Sequence, residues 1–231
     1  MTGRKLYDLA AADPNRRFSP YCWRTKLALA HKGLDFETVP WRFTEKDVIA
    51  FSGQPRVPVL VDGERTVSDS WTIANYLEDT YPGPSLFGGE GGRSVSRFVN
   101  AWADNVLVAP IARVVLMDIY NNIHEKDRAY FRQSREQRFG KPLEEVVADR
   151  EGNIKALRQA LEPVRATLAS QPYFGGSAPL YADYIVFGNL QWARCISSTE
   201  LLAADDPIRA WRDRILDAHG GMARAAPALA A

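Results

Sequence analysis

The tetrapeptide Ser19-Pro20-Tyr21-Cys22 decides how this 231-residue chain is read. It marks a helix start. Serine is a preferred N-cap, and proline suits the first helical position, where its missing N–H has no partner to lose. Trp23, Leu27 and Ala30 follow at the i, i+4, i+7 spacing of a buried stripe, and Gly33 supplies the stop. Upstream, Lys5-Leu6-Tyr7-Asp8-Leu9 alternates as a strand does. Downstream, residues 34–39 and 56–61 read as further strands, Asp62-Gly63 as a hairpin turn and Arg65-Thr66-Val67 as a fourth strand. Asp69-Ser70 opens a second helix carrying Ile73, Ala74 and Leu77. The order β-α-β, an irregular segment, then β-β-α predicts an α/β domain over residues 1–84, a small mixed sheet with helices packed on it.

Beyond that domain the strand signals stop. Pro82-Gly83-Pro84 and Gly88 to Gly92 form a linker, and residues 85–92 separate the two domains. Trp102, Val106, Ile111 and Val115 lie on one long helical segment. Further helix-period stretches run over 128–139, 143–169, 180–196 and 207–219, so 93–231 reads as an all-helical domain with a frayed Ala-rich tail after Met222.

Composition excludes several classes. Lys and Arg number 29 against 28 Asp and Glu, so a net charge of +1 offers no field for nucleic acid or an anionic membrane surface. A 46% hydrophobic and 11% aromatic content excludes disorder. Cys22 and Cys195 are too few and too distant for a disulfide framework or a four-thiolate zinc site. Met1 to Arg4 leads into a patterned strand without a charged start and apolar run, so no secretory signal is expected, and no run approaches the roughly 18 apolar residues of a membrane span. The expectation is a cytoplasmic protein without a metal.

Three short motifs carry chemistry. Ser19 sits where a helix N-terminus favours an anion. Its hydroxyl either caps the helix, worth about 1 kcal/mol, or donates a hydrogen bond to a bound thiolate. Val57-Pro58-Val59 puts proline inside an apolar strand, which argues for a special backbone such as a cis bond. At the second helix start, Ser70 and the free N–H groups suit a carboxylate and Asp69 suits an ammonium; an N-cap explains the same pair.

Ser19-Pro20-Tyr21-Cys22 resembles the Cys-Pro-Tyr-Cys of glutaredoxins with serine in place of the first cysteine, which removes disulfide exchange. Together with Val57-Pro58 and Asp69-Ser70, the whole chain resembles the cytosolic glutathione transferase superfamily: a thioredoxin-like domain, a linker and an all-helical domain. Two longer stretches are similar to the glutathione-dependent lignin β-aryl etherases and their fungal-type relatives. One is Ser19 to Lys26 with Arg56 to Val59 and Asp69-Ser70-Trp71. The other is Tyr130-Phe131-Arg132-Gln133-Ser134-Arg135-Glu136-Gln137 running into Leu143-Glu144-Glu145-Val146. The resemblance implies that Ser19 donates to the glutathione sulfur and that Val57, before a cis Pro58, pairs its main chain with the cysteinyl unit. It also implies that Asp69 and Ser70 hold the γ-glutamyl group and that the protein is a homodimer. One departure is Leu180-Tyr181-Ala182-Asp183, which keeps the aspartate of the family's capping box but lacks the hydroxyl.

The resemblance implies a thiolate attacking an electrophilic aromatic substrate, with loss of a phenolate in the etherase case. Trp102, Val106, Ile111, Val115 and Trp192 are candidate walls of its pocket, or ordinary helix core. Tyr7 is a rival sulfur donor, disfavoured because it lies mid-strand, and Cys22 reads as a buried, inert thiol. His31, His124 and His219 show no metal or catalytic spacing; His124-Glu125 has no second histidine four residues on. Arg132 and Arg135 are either solvated helix charges or ligand contacts. Arg42 and Gln54 are the weak candidates for the glycine carboxylate of glutathione. A general detoxifying transferase or peroxidase, and a non-catalytic binder of glutathione or hydrophobic ligands, are the competing readings.

Overall fold

A computed structural model describes residues 3–229; Met1, Thr2, Ala230 and Ala231, which include the start of the expected leaderless segment and the end of the Ala-rich tail, lie outside it. The first domain contains β1 (Arg4–Leu9), α1 (Pro20–His31), β2 (Phe36–Trp41), a 3-10 segment (Lys46–Ser52), β3 (Val59–Asp62), β4 (Arg65–Ser68) and α2 (Ser70–Thr80). Its sheet runs β2-β1-β3-β4. β2 is parallel to β1, with Leu6 opposite Thr38, and β3 is antiparallel to both β1 and β4. This is the thioredoxin-like arrangement expected from the motifs.

Two strands are displaced from their expected places. β2 is shifted two residues later, to Phe36–Trp41, because the chain leaves α1 through Gly33 (φ +66°) and the Leu34 N–H still bonds the Leu29 carbonyl (3.0 Å). β3 begins only at Val59, where its ladder pairs with Tyr7 and Ser68 start; Arg56 and Val57, with the cis Val57–Pro58 bond, stand outside the ladder. The α1 stripe is a larger correction. Cys22 through Leu29 are all buried, including Arg24 and Lys26, because the second domain covers the face that periodicity assigned to solvent.

The second domain is helical throughout: α3 (Glu90–Trp102), a π-helical turn (Ala103–Leu107), α4 (Val108–Asn122), α5 (Glu125–Phe139), α6 (Leu143–Val146), α7 (Arg150–Ala160), α8 (Glu162–Leu168), α9 (Tyr181–Ile196) and α10 (Ile208–Ala225). α3 takes in Gly91 and Gly92, expected in the linker. The expected helix over 143–169 is three pieces, since Asp149 caps α7 through the Gly152 N–H (2.9 Å) and Leu161 breaks the run before Pro163. α10 continues past His219 to Ala225, but only across a kink at 218–221 where His219, Gly220 and Gly221 are left-handed. No helix among the described residues is long and apolar enough to cross a membrane.

α9 is the axis of the molecule, buried along almost its whole length and packed on α1. Gly188 permits that approach: a Cβ there would stand 2.6 Å from the Pro20 carbonyl oxygen. At the start of α9, leucine offers no side-chain acceptor, so the Asp183 N–H bonds the Leu180 carbonyl instead (2.9 Å). The Asp183 carboxylate is fully buried and accepts from the N–H groups of Phe174, Gly175 and Leu180 and from Trp211 Nε1 (2.8 Å). Missing one half of the capping box therefore leaves its other half intact. The linker is anchored too, with Leu86 and Phe87 buried and the Leu86 N–H donating to Glu78 (2.9 Å).

Candidate functional site

Ser19 has extended dihedrals (φ −66°, ψ 126°) at the N-cap of α1, and its Oγ accepts from the Cys22 N–H at 3.2 Å. A hydroxyl has one proton and two lone pairs. Capping uses a lone pair and leaves the O–H free to donate, so the two sequence readings of Ser19 are compatible. The residue is 4% exposed and lines a cleft of about 390 Å³ between the domains. Pro20, Tyr21 and Val57 line the same cleft from the sheet domain, with Trp41 and Phe43 beside them. Facing them are Val108, Ala112, Leu116 and Ile119 of α4, Tyr130, Phe131 and Phe139 of α5, and Trp192 of α9. The walls are thus mostly aromatic and aliphatic, with a hydroxyl at a helix N-terminus on the floor.

The backbone of the second motif leads into the third, because the Asp69 N–H bonds the Pro58 carbonyl (3.3 Å). Asp69 is held at φ +75°, a conformation costly for a residue with a side chain, of the order of 1–3 kcal/mol. Its Oδ1 caps α2, accepting from the Thr72 N–H (2.9 Å) and hydroxyl (3.1 Å). Oδ2 is uncommitted. Ser70 is buried, and its carbonyl accepts from the Tyr181 hydroxyl (2.7 Å), so α9 fixes the start of α2 as well as that of α1. Asp69 and Ser70 are not on the wall of the 390 Å³ cleft.

The alternative sulfur groups are placed elsewhere. Cys22 is fully buried, its Sγ 4.0 Å from the Tyr7 carbonyl, and burial pushes its thiol well above the usual range. Tyr7 packs its ring 5.5 Å from Phe51 and does not reach the cleft wall. A wider depression of about 680 Å³ lies among α7, α8 and residues 203–207; its Arg165 is already paired to Asp206 and Glu162, both at 2.7 Å.

Comparison with known proteins agrees with this geometry. Residues 14–85 match the glutathione S-transferase N-terminal domain and residues 94–221 match the glutathione S-transferase C-terminal domain. The chain belongs to the glutathione S-transferase family. Among curated relatives, it is 26% identical over 211 residues to a probable glutathione S-transferase, GSTU6, of Oryza sativa subsp. japonica, covering 85% of this chain and 80% of the relative. It is 31% identical over 111 residues to glutathione S-transferase Z2 of Arabidopsis thaliana, covering 46% and 48%. The fold is shared with glutathione transferase GSTFuA3 of Phanerochaete chrysosporium (TM-score 0.84, 23% identity, 93% and 96% coverage). It is also shared with CsGST63524 of Ceriporiopsis subvermispora, solved in complex with glutathione (TM-score 0.82, 22% identity, 93% and 95% coverage).

In this glutathione S-transferase family member, the five candidate pocket residues separate. Trp192 lines the cleft. Ile111 and Val115 are completely buried, turned into the helical core, while Trp102 and Val106 pack partly buried against that core. Arg132 is a structural charge, bonded to Glu136 (2.8 Å) and Glu144 (2.7 Å) and thereby tying α5 to α6. Arg42 pairs with Glu45 (3.6 Å), and neither it nor Gln54 lines the cleft. Sequence reading overlooked Lys46, Arg56 and Arg138, which do line it. Their signal is a negative one, the absence of a carboxylate partner among the described residues, which no linear pattern reveals.

Proposed function

We propose that this chain is an enzyme that activates glutathione as a thiolate at Ser19 and directs it at an aromatic electrophile. The observation that carries this reading is the free Ser19 hydroxyl at the α1 N-terminus, opening on an aromatic-walled cleft. A thiol of pKa about 8.5 must gain roughly 2.7 kcal/mol of preferential anion stabilisation to fall by two units. One charge-assisted hydrogen bond together with the helix dipole is of that size. Ser19 is then a donor and the sulfur is the nucleophile. Val57 offers its main chain to the cysteinyl unit, beside cis Pro58, while Asp69 Oδ2 and Ser70 take the ammonium and carboxylate of the γ-glutamyl group.

The reaction we propose is β-aryl ether cleavage of lignin-derived compounds. The thiolate forms a C–S bond at the ether-bearing carbon, the C–O bond breaks, and the electron pair leaves on the aryl oxygen as phenolate. Support comes from the unusual stretch Tyr130 to Gln137, of which Tyr130, Phe131, Ser134 and Arg135 all face the cleft. General conjugation of electrophiles is the second reading, favoured by relatives that are named simply as glutathione S-transferases. Homodimerisation belongs to the same proposal and is consistent with Val95 (60% exposed) and Phe98 (71% exposed) on one face of α3.

The test is incubation with glutathione and a β-aryl ether bearing a fluorescent phenol, one enantiomer at a time. Glutathione-dependent release of phenolate is expected, with kcat/KM reduced about 10- to 150-fold in Ser19→Ala, the equivalent of one lost charge-assisted hydrogen bond. Conjugation of simple aryl halides without ether cleavage favours the second reading. Failure to bind glutathione sinks both.

A further inference from the structure

Four cations converge on the cleft, and none has an acidic partner among the described residues. Lys46, Arg56, Arg135 and Arg138 all line it; no Asp or Glu does. Among the described residues, none of the four has a carboxylate within salt-bridge distance, although most other arginines of α3, α5, α8 and α10 are paired. Lys46 donates to the Pro55 carbonyl (3.0 Å) and lies over the Trp41 and Tyr130 rings. Arg135 is the most informative. Its guanidinium carbon is 4.6 Å from the Phe131 ring centre and 5.0 Å from that of Phe43, and its single hydrogen bond is to the neutral Ser134 hydroxyl (2.8 Å).

A largely buried guanidinium with no counter-ion is unfavourable, and here the charges of Arg138 and Arg56 add repulsion. Burial together with these neighbours brings Arg135 down to about 10. Such a group is stabilised by an incoming anion, and its planar fork suits a carboxylate.

On the transferase reading above, glutathione itself brings two carboxylates and a thiolate against one ammonium. Arg56 comes from the sheet domain, next to Val57 in the chain, and matches the tripeptide; Lys46 stands between the two walls, over the Trp41 and Tyr130 rings. Arg135 and Arg138 come from α5 on the opposite wall, among the aromatic rings, where the second substrate must lie. We infer that the acceptor substrate is an aromatic compound carrying a carboxylate, and that Arg135, assisted by Arg138, binds that carboxylate and sets the specificity of the cleft.

The experiment compares 4-chloro-3-nitrobenzoate with its methyl ester. In each, the glutathione sulfur forms a bond to the ring carbon, chloride leaves with the bonding pair, and the thiol proton passes to buffer. Each kcat/KM is divided by the uncatalysed rate with glutathione, which removes the difference in ring activation. The normalised value should favour the carboxylate at least tenfold, the scale of one charge-assisted hydrogen bond. This preference should fall at least tenfold in Arg135→Met, and partly in Arg138→Gln, where an exposed side chain is changed. A preference unchanged in Arg135→Met, a wild-type preference for the ester, or an effect of Arg135→Met confined to the glutathione KM overturns the inference. A binding arm keeps it separate from turnover: tryptophan quenching by 3-nitrobenzoate and by methyl 3-nitrobenzoate, in protein saturated with S-methylglutathione. Weaker binding of only the carboxylate in Arg135→Met supports the assignment, and equal weakening of both overturns it. Absence of S-methylglutathione binding is a failure of the transferase reading, visible before either nitrobenzoate is added.

Discussion

At the scale of single residues, α1 carries charges that its neighbours must neutralise. Lys26 Nζ lies 2.8 Å from Asp8 Oδ2 with side chains 6% and 0% exposed, and the ammonium also sits 3.4 Å above the Trp23 ring. Arg17 is the next positive charge near Asp8. Removing one member of such a pair strands the other in low dielectric, and about 3–5 kcal/mol is then lost. Lys26→Met is therefore expected to lower stability by about that amount in urea unfolding. The double variant Asp8→Leu/Lys26→Met should recover much of the loss, and a double variant no better than the single one contradicts the pairing. Arg24 behaves alike on the opposite side of the helix, bonding Asn100 (3.0 Å) and Asp104 (2.8 Å) from full burial. Asp104 belongs to the π-helical turn, so that irregularity lies where the second domain meets α1.

At the scale of elements, the position of Ser19 depends on how closely α9 approaches α1. Gly188 would gain about 0.5–1 kcal/mol of helix propensity on mutation to alanine. The new methyl, however, would stand 2.6 Å from the Pro20 carbonyl and 3.3 Å from Arg24 Cγ. Overpacking of that kind costs about 1–3 kcal/mol and is relieved only by moving backbone. The backbone in question holds Ser19. Gly188→Ala is expected to lower the melting temperature and, out of proportion to that change, to lower kcat/KM for glutathione conjugation. A more stable variant with unchanged kinetics indicates that the helices separate without disturbing the site.

At the scale of the molecule, the two domains are joined by buried polar contacts as well as apolar packing. Asp127 of α5 accepts from the Phe43 N–H (3.2 Å) and from the Thr44 N–H (3.0 Å) and hydroxyl (2.7 Å) beyond β2. Tyr184 of α9 shares its hydroxyl between His31 Nδ1 and His219 Nε2, both at 2.8 Å. His31 also contacts the Ser85 carbonyl of the linker (3.1 Å). Burial lowers His31, with the nearby His219 adding to it, and burial lowers His219. Their folded values therefore lie below the unfolded value of about 6.5, so the stability they supply is fully present above that pH and declines as pH falls through the folded values. Between pH 7.5 and 5 the melting temperature should drop, less steeply in His219→Asn. Far-ultraviolet dichroism and tryptophan emission should report one shared transition, whereas separate transitions would show that these contacts do not couple the domains.

How much of this was legible beforehand follows from the range of the forces involved. Caps and turns are settled within four residues, so Ser19-Pro20, Asp62-Gly63 and Asp69-Ser70 marked the ends of α1, the β3–β4 hairpin and α2 from the sequence alone. The mixed α/β order of the first domain followed from them, its thioredoxin-like character from the family resemblance, and the all-helical second domain from the helix-period stretches after residue 92. Chain periodicity says that a helix has an apolar face but not which neighbour meets it. Hence periodicity gives α1 one buried face while α9 covers the other, and Ile111 and Val115 carry the same signal as Trp192 although only Trp192 reaches the cleft. The convergence of Arg56, Arg135 and Arg138 lay furthest from view, because like charges brought together from separate domains leave no mark on sequence spacing. Only the docking of α5 against the sheet domain, a long-range packing event, sets them around one space.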